Sequence, residues 1–151
     1  MEELVKLLSA DLAYISHEIT AEIIYIHVKS ARKSAECPYC KHEGIKVHSF
    51  YRRNFRDLPM QGKKVEIVLN NLKYFCKNPE CKHKSFAEVF DCFPFKGKRS
   101  KRLTETIIEL SLNVSSVTAS KLLKNGMADV GKSTICNLLK KGRKNQQESN
   151  S

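Results

Sequence analysis

No run of apolar residues in the sequence approaches the ~20 needed to cross a bilayer. No basic segment carries the broad apolar face of an interfacial helix, so a membrane role is disfavoured. The first residues, Met1-Glu2-Glu3-Leu4, form no secretory signal; the expected compartment is reducing and its cysteines are expected as thiols. Acidic side chains are also scarce, 16 against 27 Lys and Arg, which leaves a formal net charge of +11 on 151 residues. Such an excess speaks for a polyanionic partner, and with membranes set aside the expected partner is nucleic acid. A soluble protein with a merely solvated basic surface is the plain alternative. At this length the chain holds one ordinary domain or two small ones.

What the sequence does have is two close cysteine pairs, Cys37-Pro38-Tyr39-Cys40 and Cys76-Lys77-Asn78-Pro79-Glu80-Cys81, with a long strand-like stretch between them. Each pair presents two sulfurs from one tight turn. Bringing the turns together gathers four thiolates round one point, the donor set that structural zinc prefers. Cys37, Cys40, Cys76 and Cys81 are therefore the expected ligands of one Zn2+. The rivals are a pair of disulfides, unpaired thiols and a redox dithiol. His83 lies near enough to Cys81 to compete as a ligand, but four cysteines already complete a tetrahedral site. Cys92 and Cys136 stand apart and read as small buried apolar residues.

The redox rival has its own argument, because the tetrapeptide CPYC looks like the active site of glutaredoxins and makes a dithiol oxidoreductase one alternative function. That chemistry needs a helix opening at the motif to lower the pKa of the first thiol. Residues 41–47 instead read as a turn and a strand, and the second pair would go unexplained.

Along the chain, residues 1–9 read as a short helix, with Leu4, Leu7 and Leu8 at i, i+3 and i+4. Residues 12–31 change to a two-residue period and suggest a hairpin that turns at 18–21. Two further strands are expected at 46–53 and at 63–75, joined by a loop at 56–62 that contains Pro59 and Gly62. In the second of these strands the apolar phase slips from Val65, Ile67, Leu69 to Leu72, Tyr74, which suggests a bulge near Asn70-Asn71. A last short strand is expected at 84–90. A β module this small buries little surface, so the metal is expected to staple it and its removal to unfold it.

Residues 96–102 carry five basic side chains, Lys96, Lys98, Arg99, Lys101 and Arg102, and lead directly into helical patterns. Leu103, Ile107 and Leu110 make an amphipathic helix of 101–113. A second helix is expected from Ser115 or Ser116 to about Lys124, ending at Asn125-Gly126. A third begins near Lys132, with Ile135, Leu138 and Leu139 on one face and Lys132, Thr134, Asn137, Lys140 and Lys141 on the other. No acidic residue falls between Lys132 and Lys144. This pattern suggests a helix-turn-helix unit whose third helix would read a DNA major groove, with the basic run on the backbone. A plain three-helix bundle is the alternative.

The expected fold class is thus α+β, a small zinc-stapled antiparallel β module followed by a three-helix helix-turn-helix unit. The expected organisation is an N-terminal helix and hairpin at 1–33, the four-cysteine module at 34–95, the basic linker and helices at 96–144, and a disordered tail at 145–151.

Several motifs in order also resemble a known family. Cys37-Pro38-Tyr39-Cys40, Val47-His48-Ser49 with Tyr51-Arg52-Arg53, Arg56-Asp57-Leu58-Pro59 with Gly62, Tyr74-Phe75-Cys76 with Asn78-Pro79 and Cys81, and Phe86-Ala87-Glu88 are similar to the zinc-binding N-terminal domain of bacterial insertion-sequence transposases of the ISL-three type. The resemblance implies the same four zinc ligands, a groove helix at 132–141, and binding of double-stranded DNA at terminal inverted repeats. It also implies a cytoplasmic, nucleoid-associated protein that pairs with a second copy or with a full-length transposase. Members often have glycine where this chain has Lys41, and a capping serine where Gly131 stands. They continue into a domain whose separated acidic residues hold two metal ions for strand transfer; this chain stops soon after the helical segment, so no catalysis by it alone is expected. A transcriptional regulator of the same zinc and helix-turn-helix build is the nearest alternative.

Overall fold

Two strands that share one apolar rhythm organise the molecule. In the computed structural model, which describes residues 1–113, 117–118, 121 and 135–139, strands β2 (Ile23–Ser30) and β6 (Lys63–Phe75) lie parallel. Ile24 faces Val65, Ile26 faces Ile67 and Val28 faces Leu69, and all six are buried. Strand β1 (Leu12–Ile19) pairs antiparallel with β2, and β5 (Val47–Met60) antiparallel with β6, giving the order β1-β2-β6-β5. The short β7 (Ser85–Ala87) takes the remaining length of the β6 edge that β2 leaves. A separate two-stranded ribbon, β3 (Ala35–Glu36) and β4 (Glu43–Gly44), lies within the β2 to β6 crossover.

The helix α1 (Glu2–Leu8) and the ring pair Phe90 and Phe93 close the core over this sheet face. Phe93 stacks on Phe55 of β5 at 4.1 Å between ring centroids. Each fully buried side chain of this kind stabilises by ~1.5–3 kcal/mol, and none of the four paired cysteines belongs to this core. A second cluster forms where α2 (Lys101–Asn113) places Leu103 and Ile107 with Ile135, against Leu58 of β5.

The expected architecture is corrected here. The molecule is mainly β, with a five-stranded mixed sheet and short helices, and is not a small antiparallel module followed by a three-helix helix-turn-helix unit. The reason lies in the matching alternation of β2 and β6, which merges the N-terminal hairpin and the cysteine-bearing segment into one sheet across residue 33. Helix α2 has the expected bounds but leans on β5 through Leu58. The other two expected helices fall largely outside the described residues, of which 117–118, 121 and 135–139 are helical. The expected tail at 145–151 lies outside them too.

Two local readings also change. The stretch 56–60 is the end of β5, and the reversal is confined to Gln61-Gly62, with φ of 53° and 75° as a tight hairpin turn requires. Pro59 is tolerated because the pairing skips from Asp57 to Met60. Asn70 and Asn71 make no bulge, since they pair in continuous register with Arg52 and Tyr51. The apolar phase changes because β6 uses its two faces in turn. Val65, Ile67 and Leu69 enter the large core, whereas Leu72 and Tyr74 point the other way into a small cluster with Ala35, Cys37 and Phe86.

Glu88 shows how the gap between β2 and β7 is filled. Its buried carboxylate accepts the Leu72 N–H at 3.1 Å and pairs with Arg32 at 3.5 Å. Burial pushes its pKa up, against the hydrogen bonds from Leu72 and Ser30 and the Arg32 charge. Arg32 also covers the Phe90 ring at 4.6 Å.

Candidate metal centre

Two hairpin turns bring the four paired cysteines together. The first turn joins β3 to β4, where the Cys37 N–H donates to His42 O at 2.8 Å and the Lys41 N–H to Cys37 O at 2.9 Å. The second joins β6 to β7, where the Cys76 N–H donates to Lys84 O at 2.9 Å and the Cys81 N–H to Asn78 O at 3.1 Å. The sulfurs of Cys37, Cys40, Cys76 and Cys81 all lie within 4.8 Å of one another, with Cys40 Sγ and Cys76 Sγ 3.5 Å apart. Tetrahedral zinc with Zn–S near 2.3 Å sets neighbouring sulfurs roughly 3.8 Å apart, so the cluster has the size of that ion.

The electrostatics fit the same conclusion. The residue two positions after the cysteine offers its backbone N–H to the sulfur three times over: His42 to Cys40, Asn78 to Cys76 and His83 to Cys81. For Cys40 this bond dominates and holds the thiol down at about 6. At Cys76 the Asn78 bond is outweighed by desolvation and by the Cys40, Cys81 and Cys37 sulfurs, which together push it up to about 12. Cys81 is likewise raised, despite the His83 bond, by desolvation and by Cys40 and Cys37. Four crowded sulfurs cannot all be anionic without a cation among them, and a divalent metal is that cation.

The rival redox chemistry lacks its element. Residues 38–40 form a turn followed by β4, so no helix opens at the CPYC motif. His83 is no ligand either; its ring stacks on Tyr39 at 3.6 Å and ties the two turns together. Among the lone cysteines, Cys92 packs at the edge of the large core, where burial pushes its thiol up to about 11. Cys136 is half-buried.

Lys41 stands in the left-handed region at φ 66°, the conformation for which glycine is the low-cost residue. The strain is local. Lys41→Gly is expected to stabilise the ribbon by roughly 0.5–1 kcal/mol, seen as a higher denaturant midpoint with one zinc still bound per chain.

The expected DNA contacts separate into three groups. Lys96 and Lys98 are exposed, and Arg99 half-buried, on a strap that docks along β5, while exposed Lys101 opens α2. The Arg56 N–H donates to Lys98 O at 2.7 Å and the Ser100 N–H to Arg56 O at 2.9 Å. Arg102 has an internal partner: its guanidinium forks onto buried Asp57, with Nε to Oδ1 at 2.8 Å and Nη2 to Oδ2. Ser100 Oγ donates to the same carboxylate at 2.7 Å and caps α2 by accepting the Leu103 N–H at 3.3 Å. Asn137 is exposed and helical, while Lys132, Thr134, Lys140 and Lys141 lie outside the described residues. Sequence reasoning missed this latch, because Asp57 and Arg102 are far apart in the chain and Arg102 sits within a basic run.

The fold and the site together define a β protein with a structural zinc ribbon held by four cysteines. Residues 33–81, the stretch that carries all four, match the family model of the zinc-finger of transposase IS204/IS1001/IS1096/IS1165. No match was found among curated proteins or among solved structures. Among the described residues no helix is long and apolar enough to cross a membrane.

Proposed function

We propose that the chain binds double-stranded DNA at the terminal inverted repeats of an insertion element, as the DNA-binding part of a transposase, and leaves strand cleavage and transfer to another domain or chain. The observation that carries this reading is the zinc-finger match over 33–81, together with the gathering of its four sulfurs into one centre. The formal net charge of +11 supports a polyanionic partner. Zinc here is structural. It fixes the ribbon, and the contacts to DNA come from basic side chains, Lys96, Lys98, Arg99 and Lys101 among them. Such a protein works at the nucleoid of a bacterial cytoplasm, beside a second copy or a full-length transposase.

The test is a fluorescence-anisotropy titration of duplex oligonucleotides taken from the DNA flanking its own gene. Specific binding to an inverted repeat over a scrambled duplex is the expected result. With about six phosphate contacts, log K should fall with log salt at a slope near −5. A flat salt response overturns the reading, and protection of a promoter in place of a repeat points to a transcriptional regulator.

A further inference from the structure

The sheet has a second face, opposite the large core, whose partners can be followed row by row. Cross-strand neighbours share a face. One row runs from Arg56 through Glu66 to Tyr25, the next from Asn54 through Val68 to His27, and a third from Arg52 through Asn70 to Lys29. Arg52, Asn54 and Lys29 are exposed, and His27, Asn70 and Arg56 are half-buried. Helix α2 meets β5 at Leu58, past the end of these rows. Val68 at the centre is buried, the rest of these rows is polar with more cations than acids, and beyond Asn70 the same face passes through Leu72 and Tyr74 into the cysteine cluster.

At the β5 side this face runs into a cleft of about 730 Å³ between β5 and the docked strap, lined by Arg53, Arg56, Lys98 and Arg99 against the single carboxylate of Glu66. That carboxylate is already paired with Arg56 Nη2 at 3.3 Å. The other guanidinium nitrogen, Arg56 Nη1, is buried and has no hydrogen-bond partner. Arg53 borders the cleft but its guanidinium turns to the large-core side, over the Phe55 ring at 4.6 Å and onto the Pro94 and Phe95 carbonyls at 3.2 Å each. The cleft therefore gathers the cationic side chains of Arg56, Lys98 and Arg99 about one carboxylate, with an unmet donor buried at its wall. An acceptor with delocalised negative charge answers both features, as a phosphodiester does.

We infer that the DNA backbone lies across this open sheet face and seats a phosphate in the cleft, with Arg56, Lys98 and Arg99 as its contacts and Arg52 continuing the track. This rests on the proposed DNA binding and names the surface that does it, with none of the four cysteines among its contacts. Lys98 is exposed and its structural bond is made by its backbone carbonyl, so removing its side chain leaves the docking intact.

The experiment compares the zinc-loaded full chain with K98A/R99A, with R52A, and with the control K77A/K82A at the second cysteine turn, using one duplex over a series of salt concentrations. Loss of two phosphate contacts in K98A/R99A should make the log–log salt slope shallower by about 1.8, and loss of one in R52A by about 0.9. The control, with the same charge removed, should keep the larger share of the binding. If the wild-type chain binds no duplex, the DNA-binding reading itself falls. If it binds and both K98A/R99A and R52A, folded by circular dichroism, match it in affinity and slope, this surface is wrong while that reading stands. An equal loss in the control would likewise overturn the surface, since net charge alone would then explain it.

Discussion

Removing the metal, by a strong chelator or by Cys76→Ser, is expected to release one end of the molecule and leave the other folded. Residues 35–46 and 74–87 should lose hydrogen-exchange protection together, whereas Ile26, Ile67 and Phe55 should keep theirs. The ribbon β3–β4 has two residues per strand and cannot persist unaided. Its packing is the small cluster of Ala35, Cys37, Tyr74 and Phe86. Structural zinc supplies an apparent ~10–16 kcal/mol, far more than that cluster contributes. The large core contains none of the four ligands, which is why loss should be confined. Whole-chain unfolding on chelation, or unchanged protection at 35–46, would refute this division.

The second large effect concerns the Asp57 latch, and it should be asymmetric. Asp57 has 2% of its side chain exposed and Arg102 has 42%. Arg102→Ala strands a buried carboxylate with Ser100 as its remaining side-chain donor, and should cost about 3 kcal/mol, the lower end of the range for breaking a buried pair. Asp57→Ala leaves a guanidinium that water can reach and a hydroxyl without its acceptor, and should cost about 1–2 kcal/mol. Urea denaturation of both variants measures the order, and equal or reversed costs would show that the pair is not what holds α2 to the sheet.

How much of this was legible in the sequence depends on the range of the signal. Helix α1, the β1–β2 hairpin, the bounds of β6 and of α2, and the four cysteines follow from patterns that a short window contains. The parallel pairing of β2 with β6 does not, since the alternation of Ile24, Ile26 and Val28 names a buried face without naming its neighbour. The same holds for the basic run. Lys98 and Arg99 read as linker because nothing nearby shows that β5 has an unpaired edge for their backbone. The phase slip in β6 was visible, but its cause was not. A bulge and a strand serving two cores leave the same trace in one dimension.

That double service of β6 constrains its length by parity. Because Leu69 and Leu72 must look in opposite directions, one residue inserted at Asn70-Asn71 would turn the metal-bearing turn inside out relative to the sheet, while two would merely move it outward by a strand repeat. Lineages carrying this protein should therefore tolerate paired insertions there and reject single ones.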